Sequence, residues 1–270
     1  MKNLKIFCTS IDYYKVIDSL PNIIIPLGLG KNTFPSNWLD EKKGENISEL
    51  NSYYGELTGL YWVWKNKLSE MKKDDLIGNC HYRKFWLNSF YQKKQRFAFS
   101  SLYSNLLNQS EFLENLDSVQ VQPIEFKNKN LFTDFKEVHQ LNILEDCVNF
   151  LKEDNKNLFL KHINSNVLYP LNMFITKVDF FEKYCEQIFP WLEKCLNYCI
   201  QKNLCKDYNK RLPAFLAERF TSYWFSQFKK RKVLSYARLG KTFLSNNLNS
   251  FVNPLKFPFT FRMYPTLHKY

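Results

Sequence analysis

The chain has 270 residues, 45% hydrophobic and 24% charged, a balance that supports a sizeable folded core. With only 7 glycines it is neither collagen-like nor a Gly-rich repeat array. The net charge of +12 is unevenly placed: residues 229–270 hold nine basic residues and no acidic one, whereas residues 1–228 hold 29 basic against 26 acidic. A protein that coats nucleic acid spreads its basic residues over a folded face, so the near-neutral body argues against that class. The seven cysteines form no CxxC pair and no zinc-finger spacing, which fits reduced thiols in the cytoplasm. The N-terminus lacks the apolar core of a signal peptide, and no run reaches the ~18–20 apolar residues of a membrane span. These features predict a cytoplasmic protein, or one held peripherally on the cytosolic face of the inner membrane.

In chain order, KIFCT at residues 5–9 reads as a first buried strand. Residues 22–27 read as a second, broken by Pro26, with a loop over 27–40 and a solvated turn over 40–46. From Ile47, Leu50, Tyr53, Tyr54, Leu57, Leu60, Tyr61 and Trp64 recur at helical steps. Asp74 and Asp75 then lead into an internal strand over 76–82 that ends on His81, Tyr82 and Arg83. Residues 101–116 look helical, and 118–124 alternate like an exposed strand. Residues 135–153 predict one helix, with Val138, Leu141, Leu144, Cys147, Val148 and Leu151 on one face. Residues 171–176 read as a buried strand, 179–201 as a helix interrupted at Pro190, and 213–228 as a last helix. Strand, loop, helix and strand in this order predict an α/β layer fold.

Familiar nucleotide cradles are missing. Gly28-Leu29-Gly30-Lys31 has neither the later glycine of GxGxxG nor P-loop spacing, and no Asp-x-Asp occurs. Asp74-Asp75 is adjacent rather than spaced, and reads as a strand entry.

Four blocks carry more information: ELNSYYGELTGLYWVWKN from Glu49, IGNCHYRKFW from Ile77, YPLNMFITKVDFFEKYC from Tyr169, and RLPAFLAERF from Arg211. Together they resemble the DUF4422 family of bacterial polysaccharide-synthesis proteins, in the family's order. The match departs at Thr9-Ser10-Ile11-Asp12, where a His-Lys-like pair is usual, and at Ala214, which replaces a glycine. The resemblance implies an α/β, GT-A-like (Rossmann-like) nucleotide-sugar domain over residues 1–228, with 229–270 as a basic, aromatic extension. It implies a glycosyltransferase that moves a sugar, with galactofuranose the family's best-attested one, from a UDP-sugar to a capsular or lipopolysaccharide glycan. The acceptor would be a glycan or a polyprenyl-diphosphate-linked one. No metal ligand is assigned, and a Mg or Mn ion is left open as cofactor. The alternative is a non-catalytic glycan- or membrane-binding subunit of an assembly complex, which the missing Asp-x-Asp favours.

Within that frame the chemistry needs a base for the acceptor hydroxyl and donors for the departing diphosphate. His81, Tyr82 and Arg83 close a core strand, where α/β folds place ligands, and are expected to contact the diphosphate; otherwise they are a satisfied strand end. Glu218, in apolar surroundings, and Glu56, on the aromatic helix, are the candidate bases. Glu218 could instead pair with Arg219 or Arg211, and Glu56 could bond a neighbouring loop. Asn172, His139, Arg211 and Arg219 are candidate acceptor or sugar contacts, with a strand-capping amide and a surface helix histidine as the alternatives for Asn172 and His139. Tyr61, Trp62 and Trp64 could stack on a ring, but at helical spacing they read as core. The extension, with FVNPLKFPFTF from Phe251 downstream of Lys229, Lys230, Arg231 and Lys232, is expected to dock on an anionic membrane surface.

Overall fold

A computed structural model describes residues 2–90, 104–110 and 113–238. β1 (Leu4–Ser10), α1 (Lys15–Asp18), β2 (Ile24–Gly28) and β3 (Leu39–Asp40) come first. A 3-10 turn, α2 (Asn51–Tyr54) and α3 (Leu57–Lys67) lead to β4 (Leu76–His81), which folds back as β5 (Lys84–Trp86). Then follow β6 (Ser118–Val121), β7 (Ile124–Glu125), α4 (Leu131–His139), α5 (Leu144–Val148), α6 (Glu153–Ile163), β8 (Val167–Leu168) and β9 (Phe174–Lys177). The long α7 (Val178–Gln201), α8 (Leu212–Ser226), β10 (Arg231–Leu234) and β11 (Tyr236–Arg238) complete the described chain.

The main sheet runs β10-β6-β9-β4-β1-β2-β3, with β5 joined to β4 and β11. β1 pairs in parallel with both β2 and β4, while β9 is antiparallel to β4 and β6. Alternation splits β1 between two cores. Leu4, Ile6 and Cys8 face a cluster that includes Ile17 and Trp86; Phe7 faces the helices. β4 divides the same way, with Leu76 and Cys80 on one face and Ile77 on the other. The helical face is the larger. α7 turns Phe181, Tyr184, Cys185, Ile188, Leu192, Cys195 and Cys199 inward at helical steps, against Leu216, Phe220 and Tyr223 of α8.

β2 and β3 lie on one side of β1 and β4 on the other, so the strand order reverses between β1 and β4. Crevices open outside the carboxyl ends of strands at such a switch point. Here those ends are Thr9 and His81, which sit opposite one another in register.

Several elements differ from their sequence pattern. Residues 118–121, expected to be exposed, are fully buried, because β6 is an interior strand between β9 and β10. The helix expected over 135–153 is α4 and α5, separated where Gln140 takes a left-handed φ of 54°. α7 is continuous through Pro190. The helix from Ile47 is broken at Gly55, whose φ is +56°. α6 and β3 carried no signal that was read as an element. The strand expected from Leu171 starts at Phe174, because Leu171 and Asn172 both have positive φ, 79° and 49°. Asp75 accepts the backbone N–H groups of Asn3 and Lys72, as a strand entry does. Residues 231–238, expected to belong to the extension, form β10 and β11 of the main sheet. The proposed membrane dock at residues 251–261 lies outside the described residues, as does part of the helix expected over 101–116; within that stretch, Leu106 bridges Leu87. All seven cysteines are free. Among the described residues no helix is long and apolar enough to cross a membrane.

Candidate active site

Outside the ends of β1 and β4 lies a cleft of about 490 Å³, within the ~300–1,000 Å³ of small-molecule sites. Thr9, Ser10 and Ile11 from β1 and its exit form one wall, with His81, Tyr82, Arg83 and Lys84 from the β4–β5 hairpin. Facing them are Gly55 and Glu56 before α3, Arg211, Ala214, Phe215 and Glu218 from the start of α8, and the Leu171–Asn172 turn. The start of α3 and the start of α8 both border the cleft.

Glu56 sits at the centre. Its Oε1 accepts from Asn172 Nδ2 at 2.9 Å and its Oε2 from Arg211 Nη2 at 3.2 Å. Burial pushes its carboxyl up, but His81, Arg211 and the Asn172 amide outweigh that and leave it below its ordinary value. His81 moves the other way: burial lowers it below 6.5 despite the Glu56 charge. Its Nε2 lies 2.7 Å from the Leu171 carbonyl oxygen, which can only accept, so Nε2 carries the hydrogen. Nδ1 is then the free lone pair, 3.4 Å from the Thr9 hydroxyl. Arg211 approaches Glu56 by passing over Gly55, where a Cβ would fall 2.4 Å from Arg211 Nη2.

The Leu171–Asn172 turn is held on all sides. Leu171 N–H donates to Glu218 Oε1 at 2.7 Å, and the Leu171 carbonyl accepts from His81. The Asn172 carbonyl accepts from Asn79 Nδ2 at 2.7 Å, and Asn172 Oδ1 accepts from the Thr221 hydroxyl at 3.1 Å. Two successive left-handed non-glycine residues cost of order 1–3 kcal/mol each, and persist only where the surroundings over-determine them. The result aims the Asn172 amide at Glu56.

Glu218 is bound differently from Glu56. Its Oε2 accepts from Arg219 Nη1 at 3.1 Å, and Arg219 Nη2 donates to Asp134 Oδ2 at 2.9 Å; Asp134 also pairs with Lys129 at 2.9 Å. Arg219 is 1% exposed, so Glu218 is anchored to a buried network.

Residues 5–230 match the model of a family described as a domain of unknown function, DUF4422. The chain belongs to the DUF4422 family. No curated protein matches the sequence. Among solved structures this DUF4422 chain is similar to the apo structure of WbbM, a bifunctional glycosyltransferase, with 22% identity and a TM-score of 0.68. The likeness covers 87% of this chain and 45% of that one, so the chain spans less than half of that protein's length. The shared fold is the GT-A-like α/β class implied by the sequence blocks.

Of the residues singled out from the DUF4422 sequence, His81, Tyr82, Arg83, Glu56, Asn172, Arg211 and Glu218 all line this cleft. Arg219 stands behind the wall and reaches it only through Glu218. His139 is buried outside it: Nδ1 is 2.9 Å from Asn209 Oδ1, and burial lowers the ring to about 4. It is not the surface histidine of the helical pattern. Trp62 is buried, and Tyr61 and Trp64 pack on Phe189, so this aromatic helix serves the core. Lys84, Thr9 and Asn79 were missed. Asn79 alone carried a signal, as an amide inside an otherwise apolar strand.

A divalent cation requires converging oxygen ligands. The carboxylates lining the cleft, Glu56 and Glu218, are each engaged by an arginine and an amide or N–H donor. Among the described residues no group of three His, Cys, Asp or Glu side chains is placed to hold a metal. The donor set present does not fit a carboxylate-held metal.

Proposed function

We propose that this cleft binds a nucleoside diphosphate sugar and that the protein is a glycosyltransferase. The observation that carries the reading is a carboxylate, Glu56, in a cleft at the β1/β4 switch point that Arg83, Lys84 and Arg211 also line. The fold shared with WbbM supports it. UDP as the nucleotide, galactofuranose as the sugar, and a capsular or lipopolysaccharide glycan as acceptor rest on the family resemblance.

In the proposed reaction the acceptor hydroxyl oxygen attacks the anomeric carbon. The bond from that carbon to the β-phosphate oxygen breaks, and its electron pair leaves with the diphosphate. Glu56 takes the acceptor proton. Its Asn172 and Arg211 contacts occupy one lone pair on each oxygen, so a further hydroxyl can bond there. Arg211 is half exposed and can yield, whereas the partner of Glu218 is buried and pinned. Glu218 is therefore the anchor of the Leu171–Asn172 turn rather than the base. Arg83, its guanidinium 5.1 Å above the Tyr82 ring, which in turn stacks on Tyr14, is held where it can fork onto phosphate oxygens.

The test is sugar transfer or UDP-sugar hydrolysis by the purified protein. Glu56→Gln is expected to lower turnover ~10²–10⁴-fold, the usual contribution of a general base. Glu218→Gln, whose amide oxygen still accepts from Leu171 N–H, is expected to lose far less. Equal losses would remove the assignment of the base, and absence of any turnover with UDP-sugars would favour a binding subunit.

A further inference from the structure

Charge around the cleft does not balance. Glu56 is matched by Arg211, and Glu218 by Arg219. Arg83 and Lys84 are left over. Lys84 Nζ makes no hydrogen bond or ion pair among the described residues, although it lines the cleft. Lys84 lies opposite Arg238 in the β5–β11 ladder and follows Arg83 directly; its neighbour across the β4–β5 hairpin, His81, is lowered by burial and adds no charge. Like charges facing across strands are destabilising, and so is a desolvated ammonium without a partner. A sequence that keeps both at a cleft gains something from an anion.

We infer that Lys84 is a ligand of the donor's diphosphate and, with Arg83, supplies the positive charge that receives the leaving group. This rests on reading the cleft as a nucleotide-sugar site. The hairpin fixes the geometry. His81 is tied to the Leu171 carbonyl and Tyr82 N–H to the Thr9 carbonyl at 3.0 Å, so the hairpin carrying Lys84 is anchored at the carboxyl end of β1. A lysine there acts as a compact point charge on a flexible stem, free to follow the phosphate as the glycosidic bond opens. The ammonium is already perturbed. Burial, with Arg238 and Arg83 adding to it and Glu56 and Glu218 opposing it, lowers the ammonium to about 8. An arriving phosphate anion opposes that lowering and holds the ammonium protonated.

Binding calorimetry on the full chain with UDP, UMP and inorganic pyrophosphate tests this. The variants are Lys84→Met and Lys84→Arg, with the exposed Lys194→Met of α7 as control. Lys84→Met is expected to weaken UDP and pyrophosphate at least tenfold and UMP less than threefold, with Lys84→Arg in between and Lys194→Met unchanged. Lys84→Met is also expected to melt no lower than wild type, since it removes an uncompensated charge. Should it fail to fold, Lys84→Arg alone still has to show the UDP-selective loss. If the wild type binds UDP and the Lys84 variants bind it equally well, the role of Lys84 falls while the donor site stands. If pyrophosphate binding depends on Lys84 but UDP does not bind, the nucleotide-sugar reading falls and Lys84 remains an anion ligand. Binding of neither overturns both.

Discussion

Gly55→Ala is the substitution whose cost can be worked out most completely. Gly55 separates α2 from α3 with φ +56° and ψ −129°, outside the basins open to L side chains. A Cβ at positive φ costs about 1–2 kcal/mol. It would also sit 2.4 Å from Arg211 Nη2, so the guanidinium has to leave. That movement is cheap: the Arg211 side chain is 50% exposed, and a pair of this kind is worth about 0–1 kcal/mol. The sum is about 1–3 kcal/mol, and for a chain of this size each kcal/mol lowers Tm by about 2–4 °C. Gly55→Ala should therefore melt about 2–12 °C below wild type by circular dichroism. Arg211→Ala, which loses only the ion pair, should fall by less than about 4 °C. The double variant should stay near Gly55→Ala, because backbone strain is the larger part. Removing Arg211 from Glu56 by either route also lets the carboxyl rise toward its ordinary value, since Arg211 is one of the groups that lowers it. A Gly55→Ala protein melting within 1 °C of wild type would refute this account of the α2–α3 junction.

Arg219→Met leaves Glu218 and Asp134 without their shared buried cation and should cost about 3–5 kcal/mol in urea melts, part of it recovered by adding Asp134→Asn. His139 and His162 are both lowered to about 4 by burial. Their unfolded forms bind protons near 6.5, so at pH 5 the unfolded chain holds more protons than the native one. Stability should then fall as pH drops from about 6.5 toward 4, by on the order of 1–2 kcal/mol per histidine at pH 5. A His139→Gln protein should show a shallower fall in pH-dependent denaturation; an unchanged slope would exclude His139 as a source. Glu56 acts in the same direction lower down. Its depressed carboxyl contributes stability above 4.5 that is lost as pH falls through its folded value.

The parts of this fold that a sequence shows are those set by period and by local chemistry. β1, β4, α3, α7 and α8 follow from apolar runs and three-to-four spacing; His81 ends β4, Glu56 precedes α3 and Glu218 lies within α8. What the pattern hides is tertiary. The alternation of β6 suggested an exposed face, but Ser118 and Gln120 are buried, and the Ser118 hydroxyl donates to the Phe225 carbonyl at 3.0 Å. Nothing in the residue type of Leu171 announces a left-handed φ; it exists because Glu218, His81 and Asn79 hold both sides of the turn. For Glu218 the sequence left base and ion pair equally open, and only the position of Asp134, 85 residues away from Arg219, favours the ion pair. Nothing in the residue type of Lys84 marks it as a cleft residue; its place on the cleft wall depends on the hairpin turning back over β4.

The central claim is that the cleft between the β4–β5 hairpin and the start of α8 receives a nucleoside diphosphate. A crystal structure with UDP bound tests it most directly. The account predicts the two phosphates within hydrogen-bond distance of Arg83 and Lys84, with Glu56 facing the β-phosphate side. UDP bound away from these residues, in protein that still transfers sugar, would contradict it.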